Sequence, residues 1–184
     1  PGDTVRLWVA AQEKINLDKK VRFFKTHNAL VKIGQNDFTN RKNSLGGIYI
    51  VRDPRNALDS MSRHFQINHD RALDVMQNEK NYIYDFQKKN DYSDYQFISS
   101  WAKNYQSWKN NKLMPVKFLK YEDLLNETFF VFKEIIEFID KLTNSKKGFS
   151  REKAKNAVGS TSFENLKKIE EMKGFGESII SREE

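Results

Sequence analysis

The 184-residue chain contains no cysteine. Disulfides, thiolate metal sites and a cysteine nucleophile are therefore excluded, and a reducing compartment is compatible with the composition. No run of about 18 consecutive apolar residues occurs, which rules out a membrane-spanning helix. The opening segment PGDTVRLWVAAQEKINLDKK lacks the charged-then-apolar order of a secretory leader, so the expected location is cytoplasmic. Glycine is sparse, with 8 residues, none in a strand–glycine loop–helix arrangement. Neither G-x-x-x-x-G-K-[ST] nor G-x-G-x-x-G is present, so these residues hold no phosphate-cradling loop. Only 3 histidines occur, and no His/Asp/Glu group has metal-ligand spacing.

Aromatic residues, by contrast, are plentiful. With 14 Phe, 7 Tyr and 3 Trp the chain is too aromatic to stay disordered. Its length fits one domain with a real core rather than two independent ones. Lysine and arginine number 32 against 25 acids, a net charge of +7. That balance points to an anionic partner, without choosing among nucleotide, nucleic acid, anionic substrate and membrane surface.

Hydrophobic spacing predicts a helix over 3–17, capped by Asp3 or Thr4, with Val5, Trp8, Ala11 or Gln12, and Ile15 on one face. Residues 21–26 (VRFFKT) read as a strand, 31–47 as a connection, and Ile48-Tyr49-Ile50-Val51 as a second, buried strand. Asp53 and Pro54 form an N-cap and first helical residue, opening a helix with Leu58, Met61 and Phe65 on one face. Helix is expected again over 70–86, then a polar loop over 87–94. Phe97, Ile98, Trp101, Tyr105 and Trp108 form a helical stripe, and residues 115–121 a third strand. The longest amphipathic helix spans 128–142, with Phe132, Ile135, Ile136, Ile139 and Leu142 in register. A loop over 143–150 and two short helices, 151–158 and 162–173, complete the pattern. Strands alternating with helices predict an α/β fold with a parallel sheet.

In such sheets ligands sit at the carboxyl ends of the strands. Those ends carry Lys25-Thr26-His27, Arg52-Asp53 and Tyr121-Glu122-Asp123. Arg52, just before a Pro-started helix, suits a phosphate: its guanidinium is a two-donor fork, and Ser60 lies two turns on. The plainer account pairs Arg52 with Asp53 or another carboxylate. His27 follows a strand end beside Lys25, a placement that suits a general base; a hydrogen-bonded loop histidine is the plainer account. His64 and His69 fall in a predicted helix and at its end. Tyr121 can stack on a base or simply close its strand. Thr161 and Glu164 fit a T-x-x-E capping box, which by itself explains the segment Thr161-Ser162-Phe163-Glu164. Asn126-Glu127-Thr128 matches a glycosylation sequon, a common chance match.

Four blocks, in order, resemble the sulfotransferases that use 3′-phosphoadenylyl sulfate (PAPS). Phe24-Lys25-Thr26-His27 is similar to that family's K-T-H segment. Residues 48–60 resemble its R-x-P-x-x-x-x-x-S block, Lys120-Tyr121-Glu122-Asp123-Leu124 its Y-E-D segment, and residues 160–167 its T-S-F segment. Leu166 stands where the family often has Met. The resemblance spans residues 21–175. Two elements have no counterpart: the P-K-S-G-[TN]-[TS]-W loop that cradles the 5′-phosphosulfate and supplies a catalytic Lys, and the R-K-G-x-x-G-x-W block over the 3′-phosphate.

The resemblance implies a three-layer α/β/α, P-loop-like fold, incomplete at both ends, forming one domain over 1–184. It implies PAPS as sulfuryl donor, with adenosine 3′,5′-bisphosphate as product and no metal. His27 is then the base and Lys25 a charge stabiliser. Arg52 and Ser60 hold the 3′-phosphate, while Tyr121, Thr161, Ser162, Phe163 and Leu166 frame the nucleotide. These residues alone would make a poor enzyme. The acceptor hydroxyl or amine is unreadable: Tyr82, Tyr84, Phe86 and Lys88 suit small phenols, glycans or lipids equally. Two other readings remain: a P-loop kinase-like phosphotransferase, and a non-catalytic basic module binding nucleotide or nucleic acid, although no nucleic-acid motif is present.

Overall fold

The computed structural model describes residues 2–84 and 95–174. It opens on helix α1 (Gly2–Ile15), followed by one 3₁₀ turn, Asn16–Asp18. The expected caps Asp3 and Thr4 instead lie inside α1, which starts at Gly2. Val5 and Trp8 are buried as their spacing predicts, and Ile15 is exposed.

The strand expected over 21–26 is absent. The chain there is irregular, and Phe23 and Phe24 are 72% and 68% exposed. A strand exists only where a neighbour takes up its N–H and C=O groups. None of the described strands offers that pairing here. Arg22 instead folds back on Asp18 in a two-pronged ion pair (2.6 and 2.5 Å).

The connection over 31–47 contains a tight antiparallel hairpin, β1 (Lys32–Ile33) and β2 (Asn36–Asp37), turning at Gly34 with φ 60°. It delivers the chain to β3 (Gly47–Val51), which pairs in parallel with β6 (Val116–Lys120), Tyr49 opposite Phe118 and Ile50 opposite Leu119. Strand entry is tight: a Cβ on Gly46 would sit 3.0 Å from the Pro115 carbonyl oxygen and closer still to Leu142. A parallel pair needs a long crossover. Here it runs through α2 (Pro54–Phe65), α3 (His69–Gln77), the short antiparallel pair β4 (Tyr82–Ile83) and β5 (Gln96–Phe97), and α4 (Trp101–Lys109).

Helix over 70–86 is therefore corrected: α3 stops at Gln77. Asn78 caps its end, and the Asn78 side-chain oxygen accepts from the Lys80 N–H (2.9 Å), an Asx turn that competes with continued helix. The loop expected over 87–94, with Phe86, lies outside the described residues.

After β6 come α5 (Tyr121–Asn126), α6 (Thr128–Thr143), α7 (Arg151–Ser160) and α8 (Phe163–Lys173). The expected stripe on α6, from Phe132 to Leu142, is half-buried throughout, and Val131 is buried. The cap of α8 differs from expectation. Ser162 accepts from the Asn165 N–H, while Thr161 donates its hydroxyl to the Ala157 carbonyl (2.8 Å) and closes α7. With its oxygen turned to the preceding helix, Thr161 is not the N-cap of the next.

The fold is thus mixed α/β around a parallel pair. Tyr49 on one face of β3 is covered by Tyr105 and Trp108 of α4. On the other face Ile50 is 55% exposed. No described helix is long and apolar enough to cross a membrane.

Candidate functional site

The carboxyl ends of β3 and β6 lie side by side, because the strands are parallel and in register to Val51 and Lys120. Arg52 leaves β3 and Tyr121 leaves β6 at the same edge. The Arg52 guanidinium carbon lies 4.6 Å above the centre of the Tyr121 ring. At that distance the cation lies within reach of the ring's negative face, a cation–π contact. Among the described residues Arg52 makes no ion pair, and its buried Nε has no hydrogen-bond partner. An orphaned, buried cationic donor is costly unless a ligand completes it.

The plainer account of Arg52 fails for an identifiable reason. Asp53 is occupied by Arg55, whose Nε and Nη2 lie 3.0 and 2.6 Å from its two carboxylate oxygens. Asp53 also accepts from the Arg55 N–H (2.9 Å) as the N-cap of α2, with Pro54 as first helical residue, both as the sequence predicts. These bonds hold the Asp53 carboxyl down at about 2. The Asp53 N–H in turn donates to Glu122 (3.3 Å), tying the start of α2 to that of α5. Ser60 is half-buried on α2.

His27 has no strand beneath it, yet its main chain is well anchored. Its N–H donates to Gln96 Oε1 (2.7 Å), and its carbonyl accepts from Asn104 Nδ2 (3.1 Å). The next residues are fastened as firmly. The Asn28 side-chain oxygen accepts from the Phe97 N–H (2.8 Å), and the Asn28 carbonyl from Trp108 Nε1 (3.0 Å). The Ala29 N–H donates to the Phe97 carbonyl (2.8 Å), and the Leu30 N–H to Ser107 Oγ (2.9 Å). Side chains of α4, together with Gln96 and Phe97 of β5, thus replace the missing strand ladder.

Asn104 also ties residue 27 to β3. Its Oδ1 accepts from the Tyr49 hydroxyl (3.0 Å), and its Nδ2 additionally donates to the Ile98 carbonyl (2.9 Å). Two hydrogen bonds therefore run from the middle of β3 to His27. Arg52 sits about 10 Å further along β3, at ~3.3 Å per residue. Burial, reinforced by the neighbouring Tyr105, pushes the Tyr49 phenol up to about 12, so it stays a neutral donor.

Lys25, Thr26 and His27 are all exposed. The Thr26 hydroxyl accepts from the Asn28 N–H and side-chain amide, each at 3.1 Å. Thr161, Ser162, Phe163 and Leu166 are not drawn to this edge by any hydrogen bond or ring contact among the described residues. Their bonds stay local to α7, α8 and the turn between them, such as the Thr161 hydroxyl to the Ala157 carbonyl (2.8 Å) and the Leu166 N–H to the Ser162 carbonyl (2.9 Å). Phe163 is 81% exposed.

Sequence reasoning missed Gln96 and Asn104. Asn104 had a signal: it falls among Trp101, Tyr105 and Trp108 on one side of α4, a polar residue on an apolar stripe. Gln96 had none, because its partner is 69 residues away. No group of His, Asp and Glu able to hold a metal ion occurs among the described residues.

The chain matches the family model described as a sulfotransferase domain over residues 8–178. A comparison with curated proteins gives no match.

Proposed function

From the premise that the chain belongs to the sulfotransferase domain family, we propose that it transfers a sulfuryl group from PAPS to a hydroxyl or amine of a small-molecule, glycan or lipid acceptor. The observation that carries this reading is Arg52: a guanidinium in cation–π contact with Tyr121 and with a buried, unpartnered Nε, at the shared carboxyl end of two parallel strands. That donor set fits an anionic oxygen such as a nucleotide 3′-phosphate, with Ser60 adding a hydroxyl and Tyr121 an aromatic face. Thr161, Ser162, Phe163 and Leu166 frame the nucleotide, approached by α8 in the complete three-layer domain.

PAPS supplies the activated sulfuryl group. The chain positions and stabilises charge, which carries most of the catalysis in displacements of this kind. His27 accepts the proton of the acceptor O–H or N–H as its oxygen or nitrogen becomes a nucleophile. Lys25, two residues earlier, stabilises developing negative charge. The exposure of His27 and Lys25 leaves both accessible to an acceptor.

Turnover and binding separate these roles. In the complete domain, His27→Ala is expected to lower turnover by about 10²–10⁴ with nucleotide affinity retained. Loss of nucleotide binding with unchanged turnover per bound complex would overturn the base assignment. A kinase-like phosphotransferase would instead bind ATP·Mg in preference to adenosine 3′,5′-bisphosphate. A nucleic-acid module would bind polynucleotide with steep salt dependence.

A further inference from the structure

A histidine that acts as a base must hold its lone pair on the nitrogen facing the substrate, and in an exposed ring water does not fix which nitrogen that is. Gln96 settles it for His27. Its Oε1 accepts from the His27 backbone N–H at 2.7 Å and lies 3.2 Å from the ring Nδ1. A backbone N–H only donates, so the Gln96 atom facing it is the oxygen, and the amide has no freedom to turn round. The same oxygen can only accept from Nδ1, which must therefore carry the hydrogen. A neutral imidazole has one N–H, so the lone pair falls on Nε2.

We propose that Gln96 is the positioning residue of the sulfotransfer site, holding His27 as the Nδ1–H tautomer so that Nε2 is the proton acceptor. The proposal rests on the reading of His27 as base. In the step it serves, the Nε2 lone pair takes the acceptor's proton. The N–H bond forms as the acceptor O–H or N–H bond breaks, and the imidazolium keeps its Nδ1–H on Gln96. Gln96 is neutral, so it orients the ring without taking a proton from it. The pivot is stiff because Gln96 and Phe97 are adjacent on β5, and Phe97 is bonded on both its N–H and its carbonyl to Asn28 and Ala29. One side chain thus fixes both the backbone of residue 27 and the state of its ring.

The test is imidazole ¹⁵N–¹H NMR on the 184-residue chain, at a pH where the ring is neutral. The His27 signals are assigned by their absence in His27→Ala. The expected wild-type spectrum has a protonated Nδ1 and a bare Nε2. Gln96→Met, close in size but without a strong acceptor, is expected to shift the tautomer ratio toward Nε2–H by about 3- to 10-fold, the worth of one net hydrogen bond. Gln96→Glu, which keeps the acceptor, is expected to retain the wild-type ratio. The Trp108 indole N–H signal reports whether the loop keeps its anchor in each variant. A wild-type ring protonated mainly on Nε2, or a ratio unmoved in Gln96→Met with the Trp108 signal intact, overturns the proposal. Should the Trp108 signal move in Gln96→Met, the Gln96→Glu spectrum decides: the wild-type tautomer supports the proposal and its loss overturns it. In the complete domain, Gln96→Met is expected to lower kcat by about 3- to 10-fold at unchanged nucleotide KM. A tautomer that behaves as described in a protein whose His27→Ala variant turns over normally leaves the Gln96 bond standing and overturns only the base reading.

Discussion

Around Tyr49, rings from β3, β6 and α4 meet with centroids 5.3–6.1 Å apart, and the Trp108 indole N–H there is hydrogen-bonded. Residues 17–24 include Leu17, Val21, Phe23 and Phe24, no less apolar, and all four stand exposed. The presence of large apolar side chains does not by itself separate the two regions. Neighbours do: β3 is paired along one edge and roofed by α4 on one face, whereas residues 21–26 have neither a partner strand nor a roof among the described residues. Strand propensity becomes a strand, and an apolar side chain becomes core, only where a second layer exists to receive it.

The contrast can be broken by substitution. The largest effect belongs to Trp108, which packs against Tyr49 and Phe38 and donates to the Asn28 carbonyl. Trp108→Ala is expected to cost about 3–5 kcal/mol in urea unfolding. Asn104→Ala comes next, at about 1–3 kcal/mol, because it strips partners from the Tyr49 hydroxyl and two carbonyls. It should also loosen the amide-exchange protection of residues 27–30, which a purely local cavity at α4 would leave alone.

Tyr49→Phe removes one hydrogen bond, worth about 0.5–1.5 kcal/mol at neutral pH. Its pH signature is more specific. The folded phenol is raised to about 12 from an unfolded value near 10. A raised value means stability fully present below pH ~10 and lost as pH climbs toward ~12. The wild type should therefore lose stability over that window more steeply than Tyr49→Phe, as followed by unfolding at graded alkaline pH. Smallest of all is Phe24→Ala, expected within about 0.5 kcal/mol of wild type. A cost near that of Trp108→Ala would show that residues 21–26 are packed after all, and would erase the contrast.

The same distinction governs what could be read from the residues alone. Asp53-Pro54 at the start of α2 and the apolar stripe of α6 were legible because they are set by neighbours within one or two turns. Strand β3 was legible as an apolar run of the right length, although Ile48 and Ile50 stand exposed where burial was expected, and β6 falls within the segment expected as the third strand. Strand pairing for residues 21–26 was not, since it depends on a partner that no local pattern specifies. The Asx turn at Asn78 was legible in principle, yet the apolar residues beyond it suggested continued helix. At the site, Arg52 and Tyr121 were placed together by the topology rule, and the structure brings them into a cation–π contact. The link from Tyr49 through Asn104 to His27 spans 55 and 77 residues, and only the fold brings those residues together.

The most direct measurement is calorimetric titration of this chain with adenosine 3′,5′-bisphosphate and with adenosine 5′-phosphate, repeated for Arg52→Ala. The account predicts that the wild type prefers the bisphosphate and that Arg52→Ala loses about 2–4 kcal/mol of that binding, with no corresponding loss for the monophosphate. Equal affinities for the two nucleotides in the wild type, or a preference that survives in Arg52→Ala, would contradict it.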